Sequence, residues 1–209
     1  MTTLNAAFLD DGTLRIDACG GVLRQGFPGL DGRPLRPLSV ETGPDWARYR
    51  APGLDLQLSL VREGDSIRLR TEILSMNDPA ADLHPFFEAE AVGLRGAFTQ
   101  NLGLRGDYGY QDRPMLDGRA AGTDSTGLLA LHLPAGHLVL AVHEHDRFLA
   151  RFRILPVPVG AAPHRLTFGF ALERTRAGAF RLPDLHLSAG PALDGLLDAW
   201  RVQPVGQTV

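Results

Sequence analysis

The sequence contains no lysine, so its basic side chains are all arginine or histidine. This absence excludes chemistry that depends on a lysine amine, such as Schiff-base formation or the lysine of a P-loop. A single cysteine, Cys19, excludes an internal disulfide, and a lone cysteine is most often a small core residue. The sequence therefore predicts neither a disulfide-stabilised fold nor lysine-dependent catalysis.

The sequence also lacks a large net charge and a long apolar run. The net charge is −3 over 209 residues, which leaves no broad basic field for nucleic acid or an anionic membrane. No apolar stretch reaches the ~20 residues that span a bilayer. Residues 1–11 lack the basic and apolar regions of a signal peptide. We therefore expect a soluble, cytoplasmic protein without a nucleic-acid or membrane partner.

Strand patterns cover nearly the whole chain. Apolar and polar residues alternate over residues 54–60 and 67–73, and a polar turn at 62–65 separates them. This pattern is typical of a hairpin with one buried face. Short strands near Phe8 and Leu14 flank an Asp-Gly turn. Prolines cluster between such segments, where they mark loops and strand edges.

Later segments predict more strands and one helix. Residues 138–142 and 148–154 predict a second hairpin, and residues 166–172 predict another strand. Residues 191–201 carry an apolar stripe and predict a short C-terminal helix that must pack on the strands or on another domain. We therefore expect residues 1–209 to form one all-β domain, a large antiparallel two-sheet β-sandwich with this helix at its end.

Two histidines form the sharpest local motif. His143 and His145 would share one face of a strand, as metal ligands often do. No glutamate follows at the spacing of a cupin-like site, so a polar turn at the tip of a hairpin is the favoured interpretation. A small metal-dependent enzyme remains the alternative, and no cofactor is expected.

Two pairs of acids are close in sequence. Glu88 and Glu90 are predicted to share a strand face, and Asp78 and Asp82 to lie together in a loop. Glycoside hydrolysis requires two carboxylates at a fixed separation, but neither pair belongs to a recognisable catalytic motif. The sequence also has no Gly-x-Ser-x-Gly elbow and no Gly-x-Gly-x-x-Gly fingerprint. No catalytic residue is assigned.

A glycine-bounded segment at residues 106–115 combines aromatic and polar side chains. We expect a loop in which Tyr108, Tyr110, Gln111 and Asp107 contact a substrate. Aromatic rings cover the apolar faces of sugars, while amide and carboxylate groups bond their hydroxyls. The alternative is a structured turn whose tyrosines pack on the sheet.

Four stretches, taken in order, resemble the N-terminal β-supersandwich domain of glycoside hydrolase family 36, the α-galactosidases. The first is 58–75, followed by Asn77-Asp78-Pro79 and by His84-Pro85. The second, 108–111, is similar to the family's Asn-Gly-Tyr-Gln-Ser-Trp segment, although Asp112 and Arg113 replace the serine and tryptophan. The third is 138–154, which contains Asp146-Arg147-Phe148, and the fourth is 181–200.

This resemblance implies a non-catalytic domain that supports a catalytic barrel, shapes the rim of the sugar pocket and promotes oligomerisation. The helix at 191–201 would link to the barrel. The family's nucleophile and acid/base are barrel aspartates, and the sequence has no βα repeat to present them. Expected partners are a galactoside, a barrel in cis or in trans and a second copy of the chain. The alternative is a stand-alone carbohydrate-binding module.

Overall fold

The computed structural model describes residues 4–30, 33–77, 82–102, 108–114, 123–143, 148–155, 163–172 and 178–202. Within these ranges the chain forms antiparallel strands and one helix. They are β1 (Asn5–Phe8), β2 (Leu14–Ala18), β3 (Gly21–Gln25), β4 (Gly29–Leu30), β5 (Arg33–Pro34), β6 (Ser39–Gly43), β7 (Trp46–Ala51), β8 (Leu54–Glu63), β9 (Ser66–Met76), β10 (Asp82–Val92), β11 (Gly96–Leu102), β12 (Tyr108–Pro114), β13 (Thr123–Thr126), β14 (Leu128–Leu133), β15 (Gly136–Val142), β16 (Phe148–Ile154), β17 (His164–Leu172), β18 (Phe180–Arg181), β19 (Leu185–Gly190) and α1 (Leu193–Val202).

These strands form two sheets, as the sequence predicts. The smaller sheet has the order β1-β2-β3-β10-β17-β16-β13, and β4 and β5 extend it beside β10. The larger sheet has the order β12-β11-β14-β15-β19-β9-β8-β7-β6, and β18 also pairs with β9. The predicted β1–β2 and β8–β9 hairpins are confirmed. The fold is therefore an antiparallel sandwich with one short helix near its C-terminus.

The main core lies between the two sheets. Buried residues of the smaller sheet, such as Ile16, Leu23 and Phe168, pack in one cluster with buried residues of the larger sheet, such as Leu58 and Leu140. Ile16, Leu23 and Leu58 alternate with more exposed residues along their strands, because successive side chains of a strand point to opposite faces. Burial of these inner faces is the main source of stability.

The helix α1 covers a second apolar cluster on the outer face of β14 and β15. Five residues of the sheet and four of the helix form it: Phe98, Leu128, Ala130, Val139, Ala141, Leu193, Leu196, Leu197 and Trp200. Both faces of β14 and β15 are therefore buried, which explains why these strands read as nearly continuous apolar runs. The helix spans 193–202 where the sequence predicted 191–201, and β19 ends shortly before it, at Gly190.

The predicted hairpin of residues 138–142 with 148–154 is wrong. β15 lies in the larger sheet between β14 and β19, whereas β16 lies in the smaller sheet between β13 and β17. The chain therefore passes from one sheet to the other between residues 142 and 148. Alternation specifies which face of a strand is buried but not which sheet the strand joins. The same alternation is therefore compatible with a hairpin of β15 and β16 and with their placement in different sheets.

Proline occupies a central strand at one position. Pro85 lies in β10, which pairs with β17 on one side and with β3 and β4 on the other. The register of β10 against β17 shifts between Leu83 and Phe86, at the point where proline has no N–H to donate. Because proline avoids central strands, the sequence predicts a loop or an edge strand at Pro85. The local irregularity in β10 accommodates it in a central strand instead.

Cys19 is a small buried residue, as expected from its isolation. Its Sγ donates to the carbonyl oxygens of His137 at 3.3 Å and Gly190 at 3.7 Å. Burial raises the pKa of the thiol, which favours the neutral form. A neutral, buried thiol is a poor nucleophile, so Cys19 has a structural role.

Gln25 is the clearest polar irregularity of the core. Its side chain is 1% exposed, and neither amide atom has a hydrogen-bond partner among the described residues. An unsatisfied buried amide costs about 1–3 kcal/mol. We expect Gln25→Met, which keeps the length of the side chain, to raise the free energy of unfolding by about 1 kcal/mol. Urea denaturation measures this change, and a loss of stability would show that the amide is hydrogen-bonded.

No helix within the described ranges is both long and apolar enough to cross a bilayer.

Candidate binding face on the larger sheet

Eight side chains share the outer surface of the larger sheet beside the region that α1 covers. We call this surface the polar face; it comprises Trp46, Arg48, Gln57, Ser59, Arg70, Glu72, Arg181 and Asp184. On β7 and β8, these residues alternate with core residues such as Ala47 and Leu58. The pleat of the sheet therefore directs the polar side chains away from the core.

Strand register arranges the polar face in two rows. Trp46 is opposite Ser59, which is opposite Arg70 on the next strand. A second row runs from Arg48 through Gln57 and Glu72 to Arg181. Neighbouring strands are about 4.8 Å apart, so the first row, over three strands, extends about 10 Å across the surface, and the second row, over four strands, extends about 14 Å.

Asp184 connects three arginines at one end of the polar face. The side chain is 7% exposed, and its Oδ2 accepts a hydrogen bond from Arg181 at 2.7 Å and one from Arg68 at 3.5 Å. Its Oδ1 lies 3.8 Å from Nε of Arg70, which is beyond hydrogen-bond distance. Among the described residues, Arg70 makes no hydrogen bond, although its Nε is buried. One buried carboxylate thus anchors the cluster and leaves the donors of Arg70 unused.

The second row is held in place by internal bonds. Arg48 donates two hydrogen bonds to Asp55, at 2.9 and 2.6 Å, a bidentate geometry that restricts both side chains. The hydrogen bonds from Arg48 hold the pKa of Asp55 below its usual value. Gln57 Nε2 donates to Ser59 Oγ at 3.2 Å. These contacts fix the direction of the polar groups before any ligand binds.

Trp46 lies across the backbone of the edge hairpin. A Cβ added at Gly43 would stand 2.2 Å from Nε1 of Trp46 and 2.7 Å from its Cε2. Only glycine at position 43 leaves this space for the indole. The ring remains partly exposed, so it forms an aromatic platform beside Ser59 and Arg70.

A cluster of aromatic rings lies where α1 meets β15 and β19. The rings of His143 and His186 are 4.4 Å apart at an interplanar angle of 82°, and the rings of His143 and Trp200 are 5.9 Å apart and stacked at 26°. The predicted partner, His145, lies outside the described residues. In the part of the chain that the structure describes, no three His, Cys, Asp or Glu residues are grouped to hold a metal ion.

The burial of His186 makes the stability of the fold depend on pH. Desolvation, partly opposed by Asp184, lowers the pKa of the imidazole. The unfolded chain therefore binds more protons than the folded chain as pH falls below the ordinary histidine pKa of about 6.5. We expect stability to decrease over this range, and His186→Gln to remove its own share of the decrease. Urea titrations at pH 7.5 and 5.5 measure it; identical pH dependence in the variant would contradict this role.

The predicted sugar-binding loop is a strand over residues 108–114. β12 pairs with β11 along its length and forms one edge of the larger sheet. Tyr108, Tyr110 and Gln111 all belong to β12. Asp107 lies outside the described residues. The prediction that these residues contact a sugar stays a prediction.

The acid pairs have different positions from those expected. Asp82 begins β10 instead of lying in a loop, and Asp78 lies outside the described residues. Glu88 and Glu90 both belong to β10, but the register against β17 shifts between Phe86 and Ala89. The side chain of Glu88 lies outside the described part of the structure, so the prediction that Glu88 and Glu90 share a face stays a prediction.

The sequence interpretation did not identify Trp46, Arg70 or Asp184. Trp46 and Arg70 fall on the polar positions of alternating strands, and that signal was present in the sequence. Their proximity depends on the neighbour order of β7, β8 and β9, which alternation alone does not give. No protein-family model matches the chain, and a search of curated proteins found no matching relative.

Proposed function

We propose that the chain is a non-catalytic accessory domain of an α-galactosidase-like glycoside hydrolase. One observation carries this proposal: stretches that carry the family resemblance, though distant in sequence, lie side by side in the larger sheet. β8 and β9 come from the first stretch, β15 from the third and β19 from the fourth, and they form the continuous order β15-β19-β9-β8. Strands from three of the four stretches thus combine into one structural unit, and β12 of the second stretch belongs to the same sheet at its edge.

The position of α1 supports the same proposal. The helix follows β19 directly and packs its apolar stripe on the outer face of β14 and β15. A docked helix fixes the direction in which the chain leaves the sandwich. In the proposed arrangement this helix leads into a catalytic barrel, and the sandwich supports the barrel and the rim of its sugar pocket.

The proposal includes the expected partners and location. Tyr108, Tyr110, Gln111 and Asp107 belong to a segment that contributes to the rim near a galactoside. The domain assembles with further copies of itself, and the enzyme acts in the cytoplasm without a resident cofactor. Light scattering on the purified chain tests the assembly, with a dimer or larger species expected; a monomer at every concentration would contradict it.

Denaturing immunoblots of source cells, with antiserum raised against this chain, test the connection to a barrel in cis. We expect a band several-fold heavier than 22.6 kDa. A band at 22.6 kDa would contradict the connection in cis. The purified chain is expected not to hydrolyse p-nitrophenyl α-galactoside, and turnover by this chain alone would contradict the non-catalytic assignment.

A further inference from the structure

We propose that the polar face is a binding site for an uncharged oligosaccharide, with Trp46 as its aromatic platform and Arg70 as its main hydrogen-bond donor. The site lies on the outer surface of β7, β8 and β9. It is separate from the segment around Tyr110, which belongs to the opposite edge of the same sheet. The site does not require that the chain belong to a glycosidase.

The platform has the geometry that ring stacking needs. The indole of Trp46 covers the position where a Cβ at Gly43 would stand, at 2.2 Å from Nε1. One side of the ring therefore lies on the backbone of β6, and the ring is still partly exposed. A flat, partly exposed indole presents an apolar surface to the C–H face of a sugar ring.

The hydrogen-bond donors of the site stand beside this platform on the two neighbouring strands, β8 and β9. Ser59 is opposite Trp46 and Arg70 is opposite Ser59, so the three lie in a row of about 10 Å. Among the described residues Arg70 donates no hydrogen bond, and its only ion pair is the 3.8 Å contact with Asp184. Nε of Arg70 is buried, but the side chain is 30% exposed, so the donors that a ligand acceptor would meet are those of the terminal Nη groups. The arrangement favours a ligand with several acceptor oxygens.

The balance of charges selects an uncharged ligand. On this outer surface five arginines face five carboxylates: the arginines are Arg48, Arg50, Arg68, Arg70 and Arg181, and the carboxylates are Glu41, Asp55, Glu63, Glu72 and Asp184. Phosphate, nucleic acid or an acidic glycan would require an excess of positive charge. Sugar hydroxyls both donate and accept, so they suit a surface that alternates arginine with carboxylate, amide and hydroxyl groups.

The length of the row indicates the size of the ligand. A molecule that stacks on Trp46 and also reaches Arg70 must cross β8 and extend over about 10 Å. We therefore assign the site to an oligosaccharide of at least two rings. The bonds between Arg48 and Asp55 and between Gln57 and Ser59 hold the floor of the site in place, which lowers the entropic cost of binding.

Screening of the full chain on an array of neutral oligosaccharides tests the site, followed by titration calorimetry on each glycan that binds. We expect binding by at least one neutral glycan of two or more rings. Trp46→Ala and Arg70→Met should each weaken it by about tenfold or more, since aromatic and arginine side chains dominate such contacts. Gly43→Ala should also weaken binding, because the added methyl group displaces the indole.

Matched variants separate binding from folding. Trp46→Phe keeps an aromatic ring and should retain most of the affinity, and Arg24→Met removes an exposed arginine of the smaller sheet and should bind as the unmodified chain does. Thermal unfolding of each variant shows that the fold is intact.

The proposal is overturned if no neutral glycan binds, if only acidic glycans or DNA bind, or if Trp46→Ala and Arg70→Met retain full affinity. The immunoblot of source cells, which tests the connection to a barrel, is independent of these binding results, so the two proposals can fail separately.

Discussion

Phe168→Ala should lower the free energy of unfolding by about 3–5 kcal/mol. The ring is 1% exposed, and it stacks on Phe152 with ring centroids 4.6 Å apart and meets Phe170 edge-on at 5.0 Å. Truncation removes buried apolar surface and leaves a cavity between two rings that neighbouring strands hold apart. The sandwich cannot close around this cavity without changing the pairing of β16 with β17. Equilibrium urea denaturation measures the loss.

The matched control is Val92→Ala, on the neighbouring strand β10. Val92 is 51% exposed, so its truncation removes little buried surface and should change stability by no more than about 0.5 kcal/mol. Similar losses in the two variants would contradict the proposed position of Phe168 in the core.

Asp184→Asn should produce the second-largest effect, a loss of about 2 kcal/mol. The substitution keeps the shape of the side chain but removes the charge that Arg68, Arg70 and Arg181 share. Because Asp184 is 7% exposed, little water can replace the lost interaction. The three arginines are partly exposed, so the loss should be smaller than for a fully buried ion pair.

Asp45→Asn provides the comparison for Asp184. Asp45 is 52% exposed and lies 3.4 Å from Arg62, and exposed pairs of this kind contribute about 0–1 kcal/mol. Unfolding in low and high salt distinguishes the two sites, because screening weakens exposed pairs most. Equal losses for the two variants would contradict the central position of Asp184 in the arginine cluster.

Local strand patterns were sufficient to predict the class of fold. Alternation over residues 54–60 and 67–73 identified the β8–β9 hairpin, because both strands bury one face and leave the other exposed. The apolar stripe of residues 193–200 identified α1 and its need for a surface to cover. In each case the signal depends on neighbours close in sequence.

Long-range relations could not be predicted from such patterns. β15 and β16 follow each other in sequence, yet they belong to different sheets. β19 pairs with β9 more than a hundred residues away. Pairing between strands that are neighbours in sequence would bury the same faces as the observed pairing, so period-two alternation does not distinguish the two.

The candidate site was missed for the same reason. Trp46, Ser59 and Arg70 belong to three consecutive strands, and only their pairing register places them in one row. The segment with Tyr108 and Tyr110 attracted attention because its aromatic and polar residues are contiguous in sequence. The register between strands decides which of their side chains are neighbours on a sheet face, and a short motif within one strand gives no information about that register.

The central claim is that this sandwich is the accessory domain of an α-galactosidase-like enzyme. Its most direct test is immunoprecipitation from source cells with antiserum against the purified chain, followed by an assay of the precipitate with p-nitrophenyl α-galactoside. We expect hydrolysis in the precipitate, none with preimmune serum and none from the purified chain. A precipitate that contains the protein but hydrolyses no α-galactoside would contradict the claim.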